Sequence, residues 1–154
     1  NVGGMLLAFI ALIALFNGVL GLFGGLVGMP DLTLEFILGY VFSPLAMIIG
    51  IPFDEALTAA TFIGQKLVLN EFVAYVNFTD YLAGSPLSER TTGIITFALC
   101  GFANFSAAAM LLGGLGAMAK ERRSEISQLC LYAILAGTLS NMMSATIAGF
   151  FLLF

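Results

Sequence analysis

Three long uncharged segments limit the fold of this chain more than any other feature of its sequence. Residues 3–29, 91–119 and 126–154 contain no Asp, Glu, Lys or Arg. A helix needs roughly 20 apolar residues to cross a bilayer, and each segment exceeds that length. Charged residues make up 9% of the 154 residues, whereas soluble domains hold roughly 25%. The sequence therefore predicts an all-α integral membrane protein with about three spanning helices.

The composition argues against several classes of function. The chain has no His, and its two cysteines, Cys100 and Cys130, lie far apart in apolar segments. We therefore expect no transition-metal site and no cofactor, and we expect both cysteines to pack as small apolar residues. The net charge of −4 offers no basic surface for nucleic acid. An enzyme is not expected, because the sequence shows no nucleophile–base pair and therefore no catalytic residues.

The first third of the chain is predicted to contain two helical segments. The chain begins at Asn1 without a Met or a basic region, so we expect it to be the C-terminal part of a larger protein. Residues 1–31 are predicted to cross the membrane once and to end at Pro30-Asp31, with Asn17 in an interhelical hydrogen bond. Residues 32–51, capped by Thr33 and interrupted at Ser43-Pro44, could span or lie along the interface. We favour the interfacial helix.

A single carboxylate, Glu71, lies inside the apolar part of the segment 54–80. Only 25 residues separate the charges at Asp54 and Asp80, whereas two full crossings need roughly 40. We therefore expect a re-entrant helical hairpin that breaks at Asn70-Glu71, because irregular backbone at membrane depth lies only against protein or a watery cavity. Secondary transporters place their sites at such breaks, so Glu71 is the first candidate. Lys66 could pair with a carboxylate or reach a polar boundary.

Two further helical segments complete the chain. Residues 89–119 are predicted to cross once, with Gly101, Asn104 and Ser106 near the middle. These residues fit a local unwinding that exposes Asn104 to a ligand, and equally a packing notch in which Asn104 joins two helices. The basic residues of 120–123 indicate a cytoplasmic loop by the positive-inside rule, so the last helix, 125–154, runs outward.

Several motifs resemble the C-terminal domain of the concentrative nucleoside transporter family. The resemblance covers essentially the whole chain. The motifs are Gly64-Gln65-Lys66 leading to Asn70-Glu71-Phe72-Val73-Ala74-Tyr75, Ser88-Glu89-Arg90, Cys100-Gly101-Phe102-Ala103-Asn104-Phe105-Ser106, and Gly39-Tyr40-Val41-Phe42-Ser43-Pro44.

The resemblance implies an architecture and an activity. Residues 1–31 would be a scaffold helix, and residues 32–154 would form part of the transport domain. That part would hold an interfacial helix (32–51), a re-entrant hairpin (54–80), a spanning helix unwound at its middle (89–119) and a last spanning helix (125–154). The activity would be cation-coupled nucleoside symport, driven by sodium or protons, with elevator-type movement in a homotrimer. The nucleobase contacts and the ion site would lie mainly in the N-terminal half of the same transporter.

The resemblance also implies the residues of the substrate site. Glu71 and Asn104 would hold the ribose hydroxyls, and Phe102 would line the same pocket. Asn70 and Ser106 would complete the substrate-binding set. Ala107 stands where the family often has a second serine near ribose, so one hydroxyl is missing here.

Other functions remain open from the residues alone. The chain could carry another small polar solute, or it could be a structural or channel-forming subunit with Glu71 as a pore charge. Its short loops suggest the plasma membrane, and specifically the inner membrane of a bacterium.

Overall fold

In the computed structural model, which describes residues 2–29 and 32–154, all regular structure of the described residues is helical. This confirms the predicted all-α class. The first helix ends at Val27, whereas Pro30-Asp31, which were predicted to end it, lie outside the described residues. Seven α-helices and one short 3₁₀ turn, Lys120–Arg122, are described; the helices are α1 (Val2–Val27), α2 (Leu34–Ile48), α3 (Phe53–Val68), α4 (Glu71–Gly84), α5 (Glu89–Leu99), α6 (Phe105–Met118) and α7 (Arg123–Phe151).

Helix α2 begins as predicted but is not interrupted. The Thr33 hydroxyl caps it by accepting a hydrogen bond from the Phe36 backbone N–H at 3.2 Å. The expected interruption at Ser43-Pro44 is wrong, since the helix continues through Pro44 to Ile48. A proline removes one backbone donor, which a helix can lose and remain continuous. The chain leaves the helix at Gly50, whose φ of +104° is a conformation that favours glycine.

A buried carboxylate joins α1 to α2. Asn17 donates from Nδ2 to both oxygens of Glu35, at 3.1 and 3.0 Å, and its Oδ1 accepts from the Leu34 backbone N–H at 2.9 Å. The predicted interhelical role of Asn17 is therefore confirmed. Glu35 is 7% exposed, and the sequence pattern did not identify it as a partner. Its charge is tolerated in this position because the amide of Asn17 donates to it.

Helices α3 and α4 form a hairpin whose break lies at Leu69 and Asn70. Leu69 leaves the helical region, with φ −89° and ψ −94°, and Asn70 is extended before α4 begins at Glu71. The break therefore occurs where the sequence predicts it. The two arms pack through edge-to-face aromatic contacts, since the ring centroid of Phe62 lies 5.2 Å from that of Phe78. The core between α2, α3, α4, α5 and α7 consists mostly of alanine and isoleucine side chains.

Helices α5 and α6 lie one after the other along α7 and run antiparallel to it. They are separated by residues 100–104, which are not α-helical. The contacts follow in order along α7, from its C-terminal end to its N-terminal end: Gly149 with Ile94, Asn141 with Gly101, Gly137 with Ala103, and Arg123 with Gly116. Cys130 on α7 is buried as predicted, whereas Cys100 in the break is exposed, contrary to the prediction.

One helical stretch in the described part of the chain is long and apolar enough to cross a membrane. It comprises residues 120–151 and includes α7. Three shorter apolar stretches accompany it: Ile10–Leu26, Leu34–Ile48 and Phe105–Met118. The predicted number of spanning helices therefore stays a prediction.

Gly39→Ala should destabilise the protein, because α2 and α3 approach closely at this position. A Cβ there would lie 2.7 Å from the Thr61 hydroxyl and 3.3 Å from the Thr61 Cα. We expect the free energy of unfolding of the purified parent protein to fall by about 1–3 kcal/mol, as for other overpacked positions. Thermal or denaturant unfolding in detergent measures it.

The matched control is Gly84→Ala, where a Cβ would meet nothing within 4 Å. That variant should change the free energy of unfolding by less than about 0.5 kcal/mol. Equal stability of the two variants would contradict the close approach.

Candidate functional site

The tip of the α3–α4 hairpin meets the break between α5 and α6. Glu71 is the first residue of α4, and Asn104 is the residue immediately before α6. The Asn104 Nδ2 donates to the Glu71 Oε2 at 2.6 Å, which joins residues 33 positions apart in the chain. This hydrogen bond brings together the two candidates that head the predicted set.

Both helices that begin at this point have an asparagine cap. The Asn70 Oδ1 accepts from the Val73 backbone N–H at 2.8 Å, and the Asn104 Oδ1 accepts from the Ala107 backbone N–H at 2.7 Å. An extended asparagine is among the best N-cap residues, because its side-chain oxygen satisfies a free donor of the first turn. Glu71 therefore lies at the N-terminus of α4 and beside that of α6, where partial positive charge stabilises a carboxylate.

Ser106 holds the hairpin tip against α6. Its hydroxyl donates to the Leu69 backbone carbonyl, which the helix break has left without a helical partner. Ser106 is buried, and so is Asn104, which is 1% exposed. In this conformation neither side chain reaches the surface, and Asn104 contacts the Glu71 carboxylate.

Glu71, in contrast to Asn104 and Ser106, is not buried. Its side chain is partly exposed, and Asn104 is its one hydrogen-bond donor among the described residues. Its Oε1 is therefore available to a ligand. An ionised carboxylate oxygen accepts strong, charge-assisted hydrogen bonds from hydroxyl groups.

Phe102 lies in the break, two residues before Asn104, and its ring is 75% exposed. It lines a small cavity of about 80 Å³ together with Asn104, Ala107 and Cys130. An exposed aromatic ring beside a polar site offers a face on which a flat or sugar-like group can pack. The predicted set is therefore brought together, with Phe102 at its edge.

The C-terminal end of α5 completes the site, and sequence reasoning missed how it is satisfied. A helix leaves its last four carbonyl groups without helical partners. Each of the four here accepts a hydrogen bond: Thr96 from the Tyr75 hydroxyl, Phe97 from the Cys100 N–H, Ala98 from the Lys66 ammonium, and Leu99 from the Gly101 N–H. Tyr75 lies in one of the motifs named above. Its acceptor, however, is a backbone carbonyl, which every residue has, so the sequence does not indicate which carbonyl Tyr75 would bind.

Lys66 neither pairs with a carboxylate nor reaches a polar boundary, the two roles expected for it. Its side chain is 2% exposed, so it does not reach a polar boundary. Its Nζ donates to the Ala98 carbonyl at 2.8 Å and makes no ion pair within 4.0 Å among the described residues.

Comparisons with known proteins agree with this architecture. The family described as "Na⁺ dependent nucleoside transporter C-terminus" matches residues 1–149. The chain is 60% identical over 152 residues to the "Uncharacterized transporter YutK" of Bacillus subtilis, and 54% identical over 155 residues to the "Nucleoside permease NupC" of Helicobacter pylori. Each match covers 99% of this chain and 37% of the relative, so the chain spans little more than a third of their length.

Solved structures give the same result. A variant of CNTnw in an intermediate state superposes with a TM-score of 0.88 at 56% identity, over 97% of this chain and 37% of that one. CNTnw in an inward-facing, substrate-bound state gives a TM-score of 0.80 at 56% identity, over 96% of this chain and 36% of that one. The family consists of integral membrane transporters and not of enzymes. The chain therefore belongs to the concentrative, Na⁺-dependent nucleoside transporter family, whose C-terminal region it matches.

Proposed function

We propose that this chain is the C-terminal part of a cation-coupled nucleoside symporter, in which Glu71 binds the ribose hydroxyls of the substrate. The observation that carries the proposal is the geometry of Glu71 at the hairpin tip. One carboxylate oxygen is held by Asn104 at 2.6 Å, and the other is left for a ligand. Two relatives, a nucleoside permease and a mouse sodium/nucleoside cotransporter, support a nucleoside as the substrate.

The chemistry of the site favours a sugar with neighbouring hydroxyls. A carboxylate accepts from two hydroxyl groups at once, and these charge-assisted hydrogen bonds are stronger than neutral ones. The Asn104 amide fixes the orientation of the carboxylate before the substrate arrives. We propose that Asn104 contacts a hydroxyl directly only when Glu71 moves, because Asn104 is buried in the described conformation. Asn70 and Ser106 hold the backbone around Glu71, and Phe102 packs against the substrate.

Helix lengths support the proposed membrane arrangement. At about 1.5 Å per residue, α3 and α4 measure about 24 and 21 Å, less than the hydrocarbon core of about 30 Å. We therefore propose that 54–80 is a re-entrant hairpin and that 89–119 crosses as one unwound helix, formed by α5 and α6. Residues 1–31 and 125–154 would also cross, the former as the scaffold, while 32–51 would lie along the interface within the transport domain.

We also propose an alternating-access movement and a homotrimeric assembly for the transporter. CNTnw has been solved in an inward-facing state and, with two substitutions, in an outward-facing state, which supports alternating access. We propose that this movement is of the elevator type. Many large apolar side chains of α1 and α7 are exposed and need lipid or neighbouring subunits, which fits a homotrimer in a bilayer. Sodium or a proton would bind mainly in the part of the transporter that precedes this chain. The plasma membrane of a bacterium, which is the inner membrane where a cell has two, is the proposed location, since both relatives compared above are bacterial.

Glu71→Gln should lower uridine uptake by the parent transporter. The substitution keeps the shape of the side chain but removes its charge, and hydrogen bonds to charged groups are the stronger ones. We expect kcat/KM for uridine to fall roughly ten- to one-hundred-fold. The measurement is uptake of radiolabelled uridine, with and without a sodium gradient.

Glu89→Gln is the matched control, because Glu89 is an exposed acid at the start of α5, away from the hairpin tip. It should transport at the rate of the unmodified protein. Undiminished uptake in Glu71→Gln would remove Glu71 from the site. An unmodified protein that is folded but takes up no nucleoside would point to another polar solute.

Asn104→Ser separates the two roles of Asn104. Serine retains an N-cap for α6, because it is as good a cap as asparagine, but it removes the amide that donates to Glu71. We expect kcat/KM for uridine to fall about ten-fold, the cost of one hydrogen bond to a charged group. The matched exchange Thr33→Ser, at the start of α2, should leave uptake unchanged. Equal uptake by both variants would show that Asn104 acts only as a cap.

Phe102→Ala should weaken substrate binding without affecting stability. The ring is 75% exposed, so its removal leaves no cavity in the core. We expect a several-fold higher KM for uridine and an unchanged melting temperature. Phe97→Ala, which removes a half-exposed ring on α5, serves as the control. A KM that rises equally in both variants would contradict a specific contact at Phe102.

A further inference from the structure

Lys66 is the one buried basic side chain in the described part of the chain, and the proposed transport cycle gives it no role. It is 2% exposed and is among the largest fully buried side chains. Burial of an ammonium group is unfavourable unless strong acceptors surround it. A buried lysine in this position therefore requires an explanation, whereas a buried apolar residue of similar length would require none.

Lys66 connects the C-terminal ends of two half-helices. Lys66 belongs to the last turn of α3, and its Nζ donates at 2.8 Å to the carbonyl of Ala98, in the last turn of α5. The C-terminal end of a helix carries partial negative charge from its free carbonyl groups, and a cation there is stabilised. From the last turn of α3, Lys66 thus places its positive charge at the C-terminal end of α5.

The Lys66 ammonium also balances the negative charge of Glu71 without forming a contact with it. Glu71 is the nearby carboxylate that attracts the Lys66 ammonium, yet the two form no ion pair within 4.0 Å among the described residues. The hydrogen bond of Lys66 goes to a backbone carbonyl instead. Both oxygens of Glu71 therefore remain available to Asn104 and to a ligand.

We infer that Lys66 is a tethered cation that takes the place of a mobile ion at this hairpin tip. Broken helices in secondary transporters use their C-terminal ends and unwound carbonyl groups to coordinate the coupling cation. Here the corresponding position is filled by a side chain of the protein itself. Lys66 is therefore a positioning residue, which holds the end of α5 against the hairpin whether or not the coupling ion is bound. The inference rests on the proposed function only in so far as it concerns transport.

A packing role is the rival explanation, because the four-carbon stem of lysine also fills apolar space. Two substitutions in the full-length parent transporter distinguish the explanations. Lys66→Met keeps most of the volume and removes the charge. Lys66→Ala removes both and leaves a space that matches n-propylammonium, the missing part of the side chain.

The experiment measures two properties of each purified variant, its melting temperature in detergent and its uridine uptake in liposomes. We expect both variants to melt at a lower temperature and to show a KM raised at least about ten-fold, since a buried acceptor has lost its charged donor. Millimolar n-propylammonium should restore the melting temperature and uptake of Lys66→Ala. The uncharged analogue n-propanol should not, and Lys66→Met should respond to neither.

The outcomes are distinct. Lys66→Met with the melting temperature and KM of the unmodified protein would overturn the inference, and so would equal rescue of Lys66→Ala by n-propanol and n-propylammonium. The melting temperatures test the inference even if the unmodified protein transports no nucleoside. An unmodified protein that takes up no nucleoside would therefore refute the proposed function, while rescue of stability by n-propylammonium would still support the tethered cation.

Discussion

The hydrogen bond between the Asn104 amide and the Glu71 carboxylate connects two helix breaks that would each be unfavourable alone. A break inside a membrane protein leaves backbone donors and acceptors that water cannot satisfy. In this chain each break supplies partners to the other. Ser106 of one satisfies the Leu69 carbonyl of the other, and the two asparagine caps satisfy the first turns of α4 and α6. The site thus forms because the two breaks satisfy each other's free backbone hydrogen-bonding groups.

The two breaks also sort charge by sign. The N-termini of α4 and α6 meet at Glu71, and the C-termini of α3 and α5 meet at Lys66. Each charged side chain therefore lies at the helix ends of opposite sign, as helix dipoles favour. An anion and a cation can coexist in an apolar segment without pairing, because each is stabilised by backbone dipoles. This separation leaves the Glu71 Oε1 without a hydrogen-bond donor among the described residues.

Much of this arrangement could be predicted from the sequence, and the physical reasons for the exceptions are specific. The hairpin break at Asn70-Glu71 was predictable because too few residues lie between Asp54 and Asp80 for two crossings. The partner of Lys66 was not, because it is a backbone carbonyl and carries no residue-specific signal. The sequence pattern likewise did not indicate that Glu35 is buried against Asn17, or that α2 continues through Pro44. Such outcomes depend on which helices meet, which local patterns do not encode.

The separation of 33 positions between Glu71 and Asn104 bears on how the protein is made. During synthesis the hairpin tip leaves the ribosome before its amide partner exists, and the carbonyl of Leu69 waits for Ser106 over a similar length of chain. Until residues 104–106 have been made, the hairpin tip lacks both of these hydrogen bonds. Completion of the hairpin tip and folding of the second break are, in this sense, a single late step of biogenesis.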